Sequence, residues 1–293
     1  CGECVIIADG APRPIEGGQY GAGFIAHLVT AKCADSMPLY RLAKAYRREG
    51  IPVVRTTLGD LFHAAARELK PLWERLLVVI AQGELVLADE TPIRVLDEGK
   101  TRKGYLWTFR TARGAVGPEL IGYCFSPTRS GETPTRVLGG TKGFLMVDGY
   151  TGYNRVTLPD GRTRVGCWAH ARRDAFDSLK TAPEAQELLD LIIKLYDVEY
   201  EAKELKILGT DKHLELRKEK SAKTVEDIRK WLEEHKPKQL PKSPLGEAIS
   251  YIQGQWTALT RFLENPQIPL DNNASEGSLR VPVLGRKNFM FVG

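Results

Sequence analysis

The stretch GFLMVDGY, residues 143–150, decides the fold class of this sequence. It is apolar at nearly every position until Asp148, a pattern typical of a central β-strand that is buried on both faces. ELVLADETPIRVL, residues 84–96, is a second apolar and β-branched stretch, and Asp89 ends its LVLAD segment. Side chains at the ends of such strands emerge at a sheet edge, where open sheets form ligand sites. The sequence therefore predicts a sheet with two aspartates at its edge.

Further elements around these strands predict a mixed α/β domain. YLWTFRTA at 105–112 and LIGYCFSPT at 120–128 are two more strand candidates. Residues 134–138 predict a short helix, and RTRVGCWAHARRDAFDSLK at 162–180 predicts a short strand that runs into a helix. Residues 245–265 predict one more long amphipathic helix.

Helical periodicity dominates two other parts of the chain. Residues 20–82 carry apolar residues at helical spacing. Within them, a helix, a Gly-containing turn and a Thr-capped helix resemble a helix-turn-helix, in which Arg55, Thr56 and Thr57 would approach DNA. The alternative is a helical hairpin that binds nothing. Residues 183–240 predict a helical hairpin that is inserted into the strand-containing domain.

NNASEGSLR, residues 272–280, places Glu276 in the first turn of a predicted helix. In one interpretation Asn273 caps this helix, and Glu276 completes a capping box and pairs with Arg280 one turn later. In the other, Glu276 joins the two strand-end aspartates as a third carboxylate. Asp271, which ends the strand-like IPLD, is the main rival to Glu276 for that position.

Three carboxylates would form an oxygen-only site, which suits Mg²⁺ or Mn²⁺ and poorly suits Zn²⁺. Two such ions, about 3.5–4 Å apart, can activate a water or a 3′-hydroxyl and stabilise the leaving oxygen of a phosphodiester. A single Asp at a strand end is weak evidence, because Asp is a common turn residue. The order of strand-Asp, further strands, Asp, long gap and helix-Glu is far more specific.

Composition bounds the class of protein. The chain has 293 residues, 42% hydrophobic and 27% charged, as in globular proteins. Its net charge of +5 permits a polyanionic partner without requiring one. We expect no signal peptide and no membrane span. The reducing cytoplasm is the default compartment, because the cysteine pattern does not indicate disulfides. Five cysteines, with only one closely spaced pair, argue against a disulfide framework.

The segments ADETPIRVL, KGYLWTF, VDGYTGYN, CWAHARRDAFD and DNNASEGSLRVPVLGRKNFMF together closely resemble transposases of the insertion-sequence-sixty-six family. Upstream, KCADSMPLYRLAKAYRREGI and RTTLGD resemble that family's helical region. The resemblance implies a ribonuclease-H-like fold with a DDE triad, carried here by Asp89, Asp148 and Glu276. It further implies two Mg²⁺ ions, with Mn²⁺ as a substitute, and a homo-oligomer that acts on double-stranded DNA at element ends and target.

The resemblance also implies an organisation in five segments. They are a zinc-ribbon remnant and linker (1–19), a helix-turn-helix-like region (20–82), the first part of the catalytic domain (83–182), a helical insertion (183–240) and the last part of the catalytic domain (241–293). The family's zinc-ribbon-like element has two Cys pairs, whereas only Cys1 and Cys4 are present here. Two thiolates do not complete a four-ligand zinc site, so zinc at this pair stays open.

Basic residues close to these motifs are candidates for DNA binding through phosphate contacts. They are His170, Arg172 and Arg173 in CWAHARR, and Arg280, Arg286 and Lys287 after Glu276. Each group has a plainer interpretation as a solvated helix face. Cys167 and His170 have zinc-like spacing, but a buried Cys beside a helix-capping or DNA-facing His is the favoured interpretation.

The sequence thus predicts a DDE transposase that cleaves the DNA ends of a mobile element and transfers them into target DNA. One alternative is a catalytically dead, DNA-binding accessory protein, against which the complete triad argues. Another is a structure-specific nuclease of the ribonuclease H type. The helix-turn-helix-like front and the helical insertion argue against that, because a plain nuclease needs neither.

Overall fold

A computed structural model describes residues 13–112, 118–157 and 159–289 of the chain. The described residues divide into two compact units. The first holds the chain up to Arg75, Arg94–Arg102 and the residues from Arg280 onward, and the second holds Leu76–Ile93 and Lys103–Leu279. In the described part of the chain, no helix combines the length and apolarity needed to cross a bilayer.

The described helices and strands are, in chain order, α1 (Ala22–Cys33), α2 (Leu39–Arg48), α3 (Arg55–Ala81), β1 (Leu85–Asp97), β2 (Lys100–Thr111), β3 (Ile121–Ser126), α4 (Glu132–Leu138), β4 (Phe144–Met146), β5 (Thr163–Val165), α5 (Trp168–Ser178), α6 (Ala185–Glu204), α7 (Asp211–Leu216), α8 (Ala222–His235), α9 (Pro244–Gly254), α10 (Trp256–Thr260), α11 (Asn273–Ser278) and α12 (Arg280–Phe289). Short 3₁₀ turns lie at Thr151–Val156, Lys236–Lys238 and Arg261–Leu263, and a π-helical turn lies at Arg217–Ser221.

Residues 20–82 are helical, as their periodicity predicts, and most of them lie in the first unit, which also holds the end of β1 and the start of β2. Apolar side chains of α1, α2 and α3 form its core, among them Leu28, Leu42 and Leu58. The predicted Thr cap of α3 is wrong. The amide of Leu58 donates to the carbonyl of Val54, so the helix already begins at Arg55 and both threonines lie inside its first turn.

The second unit is built on a five-stranded sheet with the order β3-β2-β1-β4-β5. β2 and β3 are antiparallel, whereas β4 is parallel to both β1 and β5. The predicted mixed α/β class is therefore confirmed, and so is the prediction that the two Asp-bearing strands are neighbours, since Leu87 pairs with Met146. The narrower ribonuclease-H-like assignment stays a prediction.

The prediction that Asp89 ends its strand is wrong, although β1 covers nearly all of the predicted stretch of residues 84–96. The strand continues to Asp97, so Asp89 lies within the strand and not at its end. The registered pairs with β4, however, run only from Leu85–Phe144 to Leu87–Met146. Asp89 therefore still lies just beyond the paired part of the two strands, because β4 is short while β1 runs on.

Helices cover one face of the sheet. Leu87, Met146 and Val165 of three adjacent strands share a core with Trp168 of α5 and Ile249 of α9. The ring nitrogen of Trp168 donates to the carbonyl of Leu259 at 2.9 Å. A tryptophan that is both buried and bonded fixes the start of α5 against the sheet edge.

The predicted long helix over residues 245–265 is wrong. It is divided into α9, α10 and a 3₁₀ turn, with the first break next to Gly254, a residue that weakens a helix interior. The helical prediction for 183–240 is confirmed, because its described residues are helices and connecting turns without a strand.

The helical segment 183–240 contains a buried ion pair. Arg217 is 1% exposed, and its Nε and Nη2 each donate to a carboxylate oxygen of Glu199 at 2.7 Å. Its Nη1 donates to the carbonyls of Phe262 and Asn265, at 2.9 and 3.3 Å. These bonds connect α6 and the π-helical turn to the segment that follows α10.

Candidate active site

Adjacent strands place Asp89 and Asp148 side by side. Each lies two residues past the registered pair Leu87–Met146, and neighbouring strands are about 4.8 Å apart. The amide of Val147 still donates to β5, so the chain stays extended toward Asp148. Side chains alternate along a strand. Asp89 therefore emerges on the face to which Leu87 belongs, the face that α5 covers, and Asp148 follows β4 at the same level of the sheet.

The electrostatics of Asp89 show that the carboxylates are close to one another. Burial raises the pKa of Asp89 to about 7, with further contributions from the negative charges of Glu90, Asp148 and Glu276. The amide of Glu90 opposes this rise by donating to Asp89 Oδ1 at 2.9 Å. Burial is the main cause of this rise, and the three neighbouring carboxylates add negative charge that a bound cation would offset.

Glu276 reaches this edge because the start of α11 is anchored to β1. The side-chain amide of Asn272 donates to the carbonyl of Ala88, next to Asp89, at 2.9 Å. The backbone amide of Asn272 donates to the thiol of Cys167 at 3.2 Å. Asn272 is 1% exposed, so both bonds are shielded from water. One buried residue thus connects the Glu276 helix to the strand of Asp89 and to the start of α5.

The capping box expected at Asn273 is wrong. Asn273 is the first helical residue, and the preceding Asn272 makes no side-chain cap bond; its Nδ2 group donates to the carbonyl of Ala88 in β1. Asp271 takes over part of that role, since its carboxylate accepts from the backbone amide of Asn273 at 3.0 Å and from its side chain at 2.6 Å. Glu276 contacts α5 instead, with Arg173 Nη2 at 3.4 Å and His170 Nε2 at 3.9 Å.

Asp271, the rival third carboxylate, is occupied by the loop that contains it. Besides Asn273, the hydroxyl of Tyr196 donates to it. Burial raises the pKa of Asp271, and the charge of Glu276 adds to that rise. Its contacts suit a residue that shapes the entry to α11.

The donor set fits a hard divalent cation. Asp89, Asp148 and Glu276 offer only oxygen, and they concentrate negative charge at one edge. In the ranges that the structure describes, no three His, Cys, Asp or Glu side chains are already grouped as metal ligands. Arg173 and His170 instead hold the carboxylate of Glu276. Ligation by all three carboxylates would therefore need Glu276 to leave these two partners.

A network on the other face of β1, which the sequence reasoning missed, supports both aspartates. The side chain of Glu90 is 3% exposed and accepts from Arg129 Nε at 2.8 Å and from the hydroxyl of Tyr153 at 2.7 Å. The guanidinium of Arg129 lies 4.0 Å from the ring centre of Tyr150, whose amide donates to Asp148 Oδ1 at 3.0 Å. Contacts thus run from the neighbour of Asp89 to Asp148. In the sequence, the features that could have indicated this network are the second acidic residue of ADET, Glu90, and the two tyrosines of YTGY, Tyr150 and Tyr153.

The structure separates the predicted DNA-binding residues into groups. His170, Arg172 and Arg173 lie on α5, and the two arginines are exposed. The remaining residues belong to the first unit: Arg55, Thr56 and Thr57 begin α3, and Arg280, Arg286 and Lys287 lie on α12. Their contact with DNA stays a prediction.

Neither candidate zinc pair gains support from the structure. Cys1 and Cys4 lie outside the described residues. Cys167 is fully buried, accepts from Asn272, and has a pKa that burial raises to about 11. A thiol that stays protonated is a poor zinc ligand. The favoured interpretation of Cys167 as a buried cysteine is confirmed.

Comparison with known proteins identifies the family. The family model for the transposase IS66 family matches residues 17–293. The uncharacterized proteins y4jD and y4qI of Sinorhizobium fredii (strain NBRC 101917 / NGR234) are 34% and 33% identical to the chain, and cover 100% and 95% of it. The chain spans 59% and 54% of their lengths. With nearly all of its sequence matched by the family model, the chain belongs to the transposase IS66 family.

Proposed function

We propose that the chain is the catalytic part of a DDE transposase, which cleaves the DNA ends of a mobile element and joins them to target DNA. Membership of the transposase family supports the general role. The observation that supports the chemistry is the position of the three carboxylates: Asp89 and Asp148 each follow the paired residues Leu87 and Met146 by two positions, and Asn272 joins the Glu276 helix to β1 next to Asp89. Such an enzyme works on cellular DNA, so we place it in the cytoplasm.

In this proposal Asp89, Asp148 and Glu276 hold two Mg²⁺ ions, for which Mn²⁺ substitutes. The ions would supply activation of the attacking oxygen and stabilisation of the leaving oxygen. The protein orients its own ligands: Asn272 holds the Glu276 helix against β1, and the amide of Tyr150 holds one oxygen of Asp148. Arg173, 3.4 Å from Glu276, is placed to bind a phosphate oxygen of the DNA once the carboxylate turns away.

The test is cleavage of a DNA fragment that carries the ends of the element encoding the chain, in Mg²⁺ or Mn²⁺. Asp89→Asn, Asp148→Asn and Glu276→Gln should each lower the cleavage rate at least about a thousandfold, because each removes a charge worth several kcal/mol in the transition state. Asp271→Asn is the matched control and should retain cleavage within about tenfold, a difference of only about 1.4 kcal/mol.

Each alternative function has its own outcome. An accessory protein would bind these ends without cutting them in either metal. A structure-specific nuclease would cut them but would not join the exposed 3′-hydroxyl to a second DNA molecule. If Asp271→Asn abolishes cleavage while Glu276→Gln cleaves normally, the proposed third ligand is wrong.

A further inference from the structure

A cavity of about 410 Å³ lies between α5 and α6, beside the candidate active site. Arg173, which contacts Glu276 at 3.4 Å, contributes to its wall, as does Asn273 at the start of α11. Asn273 lies within one helical turn of Glu276, and Arg173 contacts Glu276 directly. A group bound in this cavity would therefore be an immediate neighbour of any phosphodiester held by the three carboxylates.

The cavity combines positive charge with exposed apolar surface. Of the described residues that line it, two are arginines, Arg172 and Arg173, and none is acidic. Phe176 is 59% exposed and Ile193 is 39% exposed. Phe176 stands one helical turn after both arginines, so its ring and the two guanidinium groups share one stretch of the α5 surface. A phenylalanine left in water beside two cations is poorly explained by packing within the second unit.

We propose that this cavity binds one unpaired nucleotide of the DNA strand at the active site, with its base stacked on Phe176 and its phosphate held by Arg172 and Arg173. The inference rests on the proposed function, because it names the form of DNA that the same site takes. Aromatic side chains and basic groups together are the usual means of holding single-stranded nucleic acid. A paired base offers only its edges in the grooves of a duplex, so stacking on Phe176 requires a base that has left the helix.

The position of the cavity relative to Glu276 is set by hydrogen bonds. Tyr196 of α6 lines the cavity, and its hydroxyl donates to Asp271. Asp271 in turn accepts from the backbone amide of Asn273 at 3.0 Å. Two bonds thus link the wall of the cavity to the first residue of the Glu276 helix. The nucleotide and the phosphodiester to be cut would be held in a fixed relation.

The experiment compares DNA binding by the 293-residue chain in EDTA, where no cleavage occurs. One probe is a blunt duplex and the other is the same duplex with a four-nucleotide single-stranded extension that carries 2-aminopurine. We expect the extension to tighten binding about tenfold, within the range of base–aromatic stacking. We also expect the fluorescence of 2-aminopurine to fall on binding, as it does when the base stacks.

Two substitutions at Phe176 separate stacking from apolar contact. Phe176→Tyr should keep the advantage of the extended probe, whereas Phe176→Leu should reduce it to less than about threefold, because leucine has no ring on which a base can stack. Leu240→Ala, at a residue that is 77% exposed, is the control for removing apolar surface and should behave as the unaltered chain.

Equal binding of the two probes by the unaltered chain would overturn the inference, as would a Phe176→Leu variant that keeps the full advantage. Cleavage of the element ends is measured separately in Mn²⁺. Loss of cleavage with a preserved, Phe176-dependent advantage would refute the proposed function and leave the nucleotide site standing. Cleavage of the element ends without any advantage of the extended probe would support the proposed function and refute the nucleotide site.

Discussion

Replacing Arg217 by methionine should destabilise the second unit strongly. The substitution removes two 2.7 Å bonds to Glu199 and two bonds to the carbonyls of Phe262 and Asn265. It leaves Glu199, whose side chain is 18% exposed, with only the weaker contact to His213 at 3.3 Å. Removing one partner of a buried ion pair costs about 3–5 kcal/mol. At roughly 2–4 °C per kcal/mol, this should lower the melting temperature by roughly 10 °C.

The pH dependence of the stability lost in Arg217→Met provides a second measurement. Burial acts to raise the pKa of Glu199, but hydrogen bonds from His213 and Arg217 outweigh it and hold the pKa below its ordinary value. The ion pair therefore contributes stability above the unfolded-state pKa of the carboxyl, and this contribution is lost as the pH falls through the lower folded-state pKa. The cost of Arg217→Met should be largest near neutral pH and shrink below about pH 4.

Urea unfolding of the single and double variants would test this reasoning. Glu199→Gln in the Arg217→Met background removes the unpaired charge, so the double variant should be more stable than Arg217→Met alone. Arg229→Met is the matched control. Its ion pair with Glu233 is 3.2 Å long but solvent-exposed at both ends, and should contribute less than about 1 kcal/mol. A loss no larger for Arg217→Met than for Arg229→Met would refute the argument.

Three further predictions concern the candidate site. Glu276→Gln should shift the metal-free melting temperature by less than about 3 °C, since it loses only a half-exposed ion pair with Arg173, while cleavage is lost. Tyr153→Phe should weaken Mn²⁺ binding about tenfold by calorimetry, because it removes the 2.7 Å bond to Glu90. The control is Tyr150→Phe, which keeps the backbone amide that holds Asp148. This control should bind Mn²⁺ more tightly than Tyr153→Phe. Asn272→Ala should cost about 1–3 kcal/mol in urea unfolding, because it removes a buried hydrogen bond to the carbonyl of Ala88. An unchanged midpoint would contradict the proposed anchoring of α11.

The parts of the fold that follow from local pattern were predictable from the sequence. The apolar run before Asp148 and the β-branched run around Asp89 predict two buried strands, and these strands are adjacent in the sheet. The position of Asp89 inside β1 was not predicted, because pairing with β2 on its other side lets the strand continue after β4 has ended. The break at Gly254 was missed since the amphipathic pattern continues across it.

The supporting contacts were less accessible to sequence reasoning, because they join residues that are distant in the chain. The residues Glu90 and Arg129 are separated by 39 positions, and nothing in either local pattern predicts that they meet. The helix cap was assigned to Asn273 on local grounds, which are sound for most Asn-rich helix starts. The preceding Asn272 occupies the cap position instead, and its side chain bonds Ala88, a residue 184 positions away that no local pattern indicates.

Asn272 also explains why the loop before α11 has its particular composition. Once the side chain of Asn272 is committed to Ala88, it does not bond the first amides of α11. The carboxylate of Asp271 accepts from one of these amides, that of Asn273, and also from the side-chain amide of Asn273. The carboxylate of Glu276 is thereby freed from capping and turns to α5, where Arg173 contacts it. The loop before α11 therefore replaces the expected capping box, and it leaves the carboxylate of Glu276 available for the metal-binding role that we propose.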